Sequence, residues 1–202
     1  MNKSPVPRGK AASFSLIEIL SVIAVIATLA VLTLPGISHT LGGLKITDAT
    51  QIVVEELQNA RASALAQNLP VEVWFLRENG RFQAVRSLLL NADGTSTWIS
   101  RSRHLPEGIA FAAQNDFSNI IGSQTLEAAP HSPAGTEGVR LRIHPSGTLE
   151  LATATSLGSN DPHFLTITSL AGFDPDQGTE LPPNFATVQI NPLNARVTTY
   201  RP

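Results

Sequence analysis

The sequence predicts an α+β protein in which a long N-terminal hydrophobic helix continues into an amphipathic helix that packs on a mostly antiparallel β-sheet head. Three observations predict this class. An almost uncharged apolar run follows a short basic N-terminus, apolar residues then recur at helical spacing, and nine short β-like segments follow from Val71. Helix first and strands afterwards is the order typical of α+β folds.

The apolar run extends from Leu16 to Leu34, and its single charged residue is Glu18. At about 1.5 Å per residue, a helix of this length approaches the roughly 30 Å of a bilayer core. Three basic residues precede the run, whereas the next basic residue after it is Lys45. The positive-inside rule therefore predicts a transmembrane helix with a cytoplasmic N-terminus and an exported C-terminal part.

Two alternatives to a membrane span are a secretory signal peptide and a buried core helix. A signal peptide has an apolar core of about 7 to 15 residues that ends in an A-x-A-like site. This run is longer, and "LPGISHTLGG" is a poor cleavage site. A helix that is apolar on every face would need a larger protein around it. The membrane span therefore explains the run best.

Glu18 is energetically unfavourable in a membrane-spanning segment. A carboxylate costs about 2.5 to 3.5 kcal/mol at the centre of a membrane and less near an interface, so it is tolerated where it has a partner or a function. Glu18 lies four residues after Phe14, about 6 Å along a helix. The alternative interpretation is a carboxylate that only snorkels to the lipid headgroups.

An amphipathic helix is predicted after Gly42 and Gly43, a pair that indicates a flexible point. Apolar residues recur there at helical spacing: Ile46, Ala49, Val53, Leu57, Ala60 and Ala64. The neighbouring polar residues lie mostly off this stripe: Glu55, Glu56, Gln58, Asn59 and Arg61. The stripe predicts a face packed on a sheet, with a partner-helix role as the alternative, and the helix should end by Leu69, ahead of Pro70.

The β-rich part contains nine short segments rich in β-branched and aromatic residues. They are VEVWFL, RFQAVRSLL, STWIS, GIAF, VRLRI, TLELAT, FLTITSL, ATVQI and RVTTY. Turn signals such as ENG, NADG and HPSG separate them. The intervals from Ala112 to Glu137 and from Ala171 to Asn184 are predicted to be loops, and no long repeat or second domain is indicated.

The segment SFSLIEILSVIAVIATLAVLTLP resembles the N-terminal segment of type IV prepilins and type II secretion pseudopilins. In that family a short basic leader precedes a small residue, a Phe and, four residues later, a glutamate. Phe14 and Glu18 match these positions, and Pro35 falls where many pilins have a helix-bending proline. The family usually has Gly or Ala before the Phe, whereas this chain has Ser13, a small residue compatible with slower cleavage.

The resemblance implies that a membrane prepilin peptidase cuts between Ser13 and Phe14 and methylates the new amino terminus at Phe14. It also implies that Glu18 pairs with this amine on a neighbouring subunit, so that two charges are neutralised in a low dielectric. Other pseudopilins or pilins and inner-membrane lipid are the further partners implied, with the head in the bacterial periplasm. The implied domains are a leader over 1–13, a transmembrane assembly helix over 14–36, an amphipathic helix over 37–69 and a periplasmic head over 70–202.

The order ARASALAQNLPVEVWF, LPEGIAF, RIHPSGTLEL and ATVQINPLNARVTTY looks like the H-type minor pseudopilins and the related FimT-like minor pilins. A fainter similarity is to the pseudopilin-like proteins of the verrucomicrobial Verru_Chthon cassettes. The resemblance implies a minor pseudopilin of a type II secretion pseudopilus. The alternative is a minor pilin of a type IV or competence pilus whose head binds DNA or another ligand.

No enzyme motif or cofactor site is indicated. The five histidines show no metal-ligand spacing, no cysteine occurs, and P-loop, G-x-S-x-G and dinucleotide fingerprints are absent from the sequence. The stretch DPDQGTE, with Asp174, Asp176 and Glu180, resembles a fragment of a calcium loop, and some major pseudopilins bind calcium in a C-terminal loop. It lacks the distant bidentate Glu of an EF-hand, so an acidic solvated turn is the simpler interpretation.

A DNA-binding patch is the remaining candidate site. Its cationic residues are Arg101–His104 with Arg196 and Arg201. Residues 37–202, however, carry 11 Lys and Arg against 15 Asp and Glu, a net charge of −4. This balance is the opposite of a typical nucleic-acid-binding domain, so DNA is not the favoured partner.

Overall fold

The computed structural model describes residues 15–151 and 162–202, and between residues 30 and 41 it describes the backbone without the side chains. Helix α1 runs from Leu16 to Gln67 without a break. The chain divides into two compact units between Leu41 and Gly42. The backbone is helical at Gly42 and Gly43, where the sequence indicates a flexible point. Residues 42–67 of α1 therefore belong to the same unit as the strands.

The predicted apolar stripe of α1 is a core face. All six of its residues are at most 1% exposed, which confirms the core interpretation over a free partner-binding face. The helix ends at Gln67, and Asn68 has a φ of 52°. Asn tolerates this left-handed conformation at a helix C-terminus, and Pro70 cannot continue the helix. The predicted end by Leu69 is confirmed.

Within the described residues, eleven strands and one short helix follow α1. They are β1 (Val71–Glu78), β2 (Arg81–Leu90), β3 (Ser96–Trp98), β4 (Arg103–His104), β5 (Ile109–Phe111), α2 (Asn119–Gly122), β6 (Glu127–Ala128), β7 (Glu137–Ile143), β8 (Leu149–Leu151), β9 (His163–Ser169), β10 (Phe185–Ile190) and β11 (Val197–Tyr200). Each of the nine predicted segments overlaps one of these strands. Local alternation and turn residues are therefore sufficient to find them.

Two short elements occupy the interval from Ala112 to Glu137, where the sequence predicts only a loop. The two-residue strand β6 is too short to show alternation, and α2 is too short to show a helical period. Tertiary contacts hold α2 instead. Asn119 Nδ2 donates to the carbonyl oxygen of Pro162 at 2.9 Å, and Asn119 Oδ1 accepts from the backbone N–H of Phe164 at 2.8 Å.

The strands form two sheets. The first has the order β3-β2-β1-β7-β6, with β4 paired to β2 and β8 paired to β7, and the second has the order β11-β10-β9-β5. Every strand pair within the described ranges is antiparallel, so the predicted antiparallel character is confirmed. The division into two sheets arises because β9, β10 and β11 pair among themselves and with the distant β5 rather than with the first sheet, and local sequence alternation carries no information on such partner choice.

One main core joins the buried stripe of α1 to both sheets. Phe75 of β1 and Phe111 of β5 make an edge-to-face contact in it, with ring centroids 5.5 Å apart. Such a pair contributes about 0.5 to 1.5 kcal/mol beyond its buried area. A smaller apolar cluster lies on the other face of the first sheet around Trp74, which is 1% exposed and contacts Trp98 edge to face. Strand β1 is therefore covered on both faces.

Candidate assembly site

The first part of α1 exposes apolar side chains on every side. Its exposed large residues are Leu16, Ile17, Ile19, Leu20, Val22, Ile23, Val25, Ile26 and Leu29. Because successive helical positions are rotated by about 100°, this set covers the whole circumference of the helix. Soluble monomers rarely expose contiguous apolar patches of more than a few hundred Å². Burial of this apolar surface therefore needs contacts beyond those of the described residues.

The sequence places a membrane span from Leu16 to Leu34. Within the described part of the chain, no helix has both the length and the apolar character that a membrane crossing requires. The predicted span continues past Leu29, the last side chain described before residue 42. The transmembrane assignment therefore stays a prediction.

Glu18 lies in the first turn of α1 and is exposed. The carbonyl oxygen of Ser15 accepts hydrogen bonds from the backbone N–H groups of Glu18 at 3.0 Å and Ile19 at 3.2 Å, so the helix starts there. A negative charge in a first turn stabilises a helix by about 0.3 to 1 kcal/mol. Although Ser15 and Glu18 have capping-box spacing, the carboxylate makes no hydrogen bond or ion pair within residues 15–151 and 162–202.

A shallow apolar groove runs along one side of the same helical segment. Leu16, Ile19, Leu20 and Ile23 line it, and its volume is about 520 Å³. These residues have the i, i+3, i+4, i+7 spacing with which one helix packs against another. The carboxylate of Glu18 therefore belongs to the same two helical turns as a surface suited to a second helix.

The other predicted processing residues lie outside the described side chains. Ser13 and Phe14 are outside the described residues altogether. Pro35 lies inside α1, but its side chain is not described. Cleavage between Ser13 and Phe14, methylation of Phe14 and a bend at Pro35 stay predictions.

Residues 42–47 of α1 form hydrogen bonds with parts of the second unit that are distant in sequence. Arg201 donates from Nη1 to Thr47 Oγ1 at 2.8 Å and from Nη2 to the carbonyl oxygen of Gly43 at 3.1 Å. Lys45 Nζ donates to the carbonyl oxygen of Glu107 at 3.0 Å. These contacts connect the helical backbone near the paired glycines to the last strand and to the turn before β5.

Glu56 is an exception to the predicted polar face of α1. It is 2% exposed, and its Oε1 accepts hydrogen bonds from the hydroxyls of Ser87 and Ser100, each at 2.5 Å. A buried carboxylate is costly unless it is hydrogen-bonded, and these two hydroxyls satisfy it. Both serines come from the β-rich part, so helical spacing alone gave no signal of this site.

Glu72 is a second buried carboxylate that the alternation in β1 did not single out. It is 1% exposed and pairs with Arg140 at 2.9 Å and Arg142 at 2.8 Å. Trp74 Nε1 also donates to it at 3.2 Å. The two arginines come from β7, which is antiparallel to β1, so the pairing of these strands assembles the cluster. Arg140 also pairs with Glu127 at 3.2 Å and Arg142 with Glu150 at 3.3 Å, so each arginine has two carboxylate partners, which indicates a structural role.

The acidic turn does not form a metal site among the described residues. Asp176 pairs with Arg77 at 3.3 Å, and Asp174 Oδ1 accepts the backbone N–H of Asp176 at 3.0 Å. No group of three or more potential metal ligands occurs within the described ranges. A Cβ at Gly178 would lie 2.2 Å from the Phe173 ring, so packing explains the glycine in this turn.

The predicted DNA patch is partly neutralised by local carboxylates. Arg103 pairs with Glu55 at 2.9 Å, and His104 contacts Glu78 at 3.1 Å. Hydrogen bonds from Gln51 and from Arg103 hold the pKa of the Glu55 carboxyl below its usual value. Arg201 is engaged with α1, whereas the side chains of Arg101 and Arg196 are exposed.

No family model and no curated protein sequence matches the chain. Two solved structures that resemble it are both of the minor pseudopilin EpsH from the type II secretion system of Vibrio cholerae. One is 18% identical with a TM-score of 0.48, and the match covers 79% of this chain and 98% of that chain. The other is 15% identical with a TM-score of 0.46, and the match covers 78% and 98%.

Proposed function

We propose that the chain is a prepilin-like minor pseudopilin, a structural subunit of a type II secretion pseudopilus rather than an enzyme. The observation that carries the proposal is the exposed apolar circumference of α1 from Leu16 to Leu29, with one carboxylate in its first turn. A self-contained α+β unit follows it, with its own buried core. This combination suits a subunit that is anchored and assembled through its N-terminal helix and presents a folded head.

The apolar segment of α1 is proposed to be both membrane anchor and assembly helix. Before assembly, lipid would cover its side chains in the bacterial inner membrane, and the basic N-terminal residues would stay in the cytoplasm. The head would lie in the periplasm. In the filament, helices of neighbouring pseudopilins would replace the lipid, since helices in membranes associate through close packing rather than through exclusion of water.

Glu18 is proposed to select the position of each new subunit. Cleavage between Ser13 and Phe14 would create an ammonium group at Phe14, and methylation of that group keeps its charge. The Glu18 carboxylate makes no contact with the described residues and is available to a neighbour. Two charges that pair in a low dielectric are neutralised together, whereas a misplaced subunit would leave both unpaired.

Processing is the direct test of the proposal. Co-expression with a prepilin peptidase should produce a mature chain that begins at Phe14 and carries a methyl group, as read by mass spectrometry. An inactive peptidase is the matched control and should leave the basic leader in place. A mature chain that begins near Ser38 would instead indicate an ordinary signal peptide, and an uncut chain in the presence of active enzyme would contradict the proposal.

A minor pilin of a type IV or competence pilus, with a ligand- or DNA-binding head, is the second candidate. The exposed cations Arg101 and Arg196 favour it. Filter binding of DNA to the full chain across salt concentrations separates the two functions, because affinity that depends on phosphate contacts falls steeply as salt rises. Binding with this salt dependence would favour the pilus role.

A further inference from the structure

The connection between β10 and β11 is a rigid loop that presents an exposed arginine. Its ends are closed by two backbone hydrogen bonds between Asn191 and the residues Ala195 and Arg196, each 2.9 Å long. Asn191 Oδ1 accepts from the N–H of Leu193, and Asn194 Oδ1 accepts from the N–H of Arg196, also at 2.9 Å. The positions of the groups on this loop are therefore fixed before any ligand arrives.

The loop is also anchored to the rest of the head. The carbonyl oxygen of Pro192 accepts the backbone N–H of Leu149 at 2.8 Å, and Ala195 is 3% exposed and packs in the main core. Arg196 itself is exposed, and within the described ranges its guanidinium has no carboxylate partner. An arginine on a rigid support with its charge unmatched differs from Arg103, which Glu55 neutralises.

A cavity of about 220 Å³ lies beside this arginine. Its lining is Pro162, Gln189, Asn191, Pro192, Arg196 and Thr198. The lining supplies guanidinium, amide and hydroxyl donors, and no acidic residue is among the lining residues that the structure describes. Asn191 uses its side-chain oxygen within the loop, so its NH₂ group remains as a donor. The cavity is smaller than the roughly 300 to 1,000 Å³ of typical small-molecule sites, which favours one small anionic group.

We propose that this cavity binds an acidic side chain of a partner polypeptide through its carboxylate. The planar fork of Arg196 matches the two oxygens of a carboxylate, and a charge-assisted bond of this kind is stronger than a neutral one. Leu193 is 60% exposed at the tip of the same loop and offers an apolar contact to residues that flank the acidic one. The net charge of −4 on residues 37–202 opposes the many phosphates of a nucleic acid more than it opposes a single carboxylate.

This site goes beyond the proposed assembly role, because it concerns the head alone and none of its residues lies in α1. It can fail while leader cleavage and Glu18-dependent assembly succeed, and the reverse also holds. The two proposals are therefore separately testable.

The experiment uses the full chain in detergent micelles and a fluorescein-labelled serine- and leucine-containing peptide that carries one glutamate. Fluorescence anisotropy should show saturable binding of this peptide and none of a matched peptide with glutamine in place of glutamate. In ¹⁵N-labelled protein, the side-chain signals of Arg196, Asn191 and Gln189 should shift on peptide addition. Sodium acetate should shift the same signals only at much higher concentration, since it lacks the flanking contact to Leu193.

Variants locate the binding. Arg196→Gln should lower the affinity for the peptide by about tenfold or more, because it removes a charged donor. Arg196→Lys should give a smaller loss of affinity. Arg101→Gln, which removes the same charge from another exposed position, should bind like the parent. Equal losses in both glutamine variants would reduce the effect to general charge attraction and overturn the proposal, as would absence of saturable binding. Tighter binding of a short oligonucleotide that also depends on Arg196 would make this a phosphate site instead.

Discussion

The two ends of α1 use similar residues in opposite ways. Between Ile46 and Ala64, six apolar residues share one face, and each is at most 1% exposed. From Leu16 to Leu29 apolar residues occupy every face, and Leu16 is 81% exposed. The first set is buried against the sheets, whereas the second set stays exposed among the described residues. The distribution of apolar residues around a helix therefore indicates whether its partner belongs to the same molecule.

Glu18→Ala should give the largest effect on assembly, because it removes the single charge of the apolar run from Leu16 to Leu34. If Glu18 pairs with a neighbour's amino terminus, the loss strands a charge and can reach roughly 3 to 5 kcal/mol. Crosslinking to partner pseudopilins should fail, while membrane fractionation and leader removal should match the parent. Glu18→Asp keeps the charge with a shorter reach and should be intermediate. Parental crosslinking by the alanine variant would remove the assigned role.

Leu57→Ala and Leu20→Ala compare the two ends of the helix with one chemical change. Leu57 is 1% exposed in the core, and its truncation should destabilise the head by about 2 to 5 kcal/mol in denaturant unfolding. Leu20 is 62% exposed, and its truncation should leave that unfolding transition unchanged. The crosslinking assay should show the reverse order of sensitivity. A head that responds equally to both variants would contradict the division of α1 into two roles.

Glu56→Ala should moderately lower the free energy of unfolding, because Glu56 lies in the buried second part of α1. The change leaves the hydroxyls of Ser87 and Ser100 without their shared acceptor, and a buried group that loses its partner costs about 1 to 3 kcal/mol. Urea unfolding at neutral pH measures the loss. Gln58→Ala, at an exposed position of the same helix, is the control and should change stability by less than about 0.5 kcal/mol. Equal changes in the two variants would show that the hydrogen bonds from Ser87 and Ser100 to Glu56 contribute little to stability.

Glu55→Gln should give the smallest effect, and it should appear only in the pH dependence. The pKa of Glu55 is lowered in the folded state by hydrogen bonds from Gln51 and Arg103. Its contribution is therefore present above its unfolded pKa of about 4.5 and is lost as pH falls through the lower folded value. The parent should lose slightly more stability than the variant across that acidic window. Parallel pH profiles would contradict the ion pair with Arg103.

The sequence predicts those parts of the fold that depend on neighbouring residues. The stripe from Ile46 to Ala64 follows from helical spacing, and Asn68 with Pro70 marks the helix end. The nine longer β-like segments follow from alternation and turns. The membership of β5 in the second sheet could not be predicted in this way, because β5 pairs with β9, which is far from it in the chain.

The same limit applies to the candidate sites. Glu18 is identifiable because its spacing from Phe14 and its apolar surroundings are local features of the sequence. Glu56 and Glu72 look like ordinary polar positions until strand pairing brings Ser87, Ser100, Arg140 and Arg142 to them. In the sequence, Arg196 is only one member of a basic patch. Its separate character depends on a cavity whose lining combines Pro162 with residues of the β10–β11 hairpin.

The bonds from Arg201 to Gly43 and Thr47 have a consequence for the order in which the protein can fold. They join residues that are 158 and 154 positions apart in the chain, so during synthesis they can form only after all of the intervening residues have been added. Until then, the helical backbone around the paired glycines lacks this restraint. Replacing Arg201 by alanine would remove both bonds without changing any residue of a strand, so one side chain determines when this part of the helix is secured.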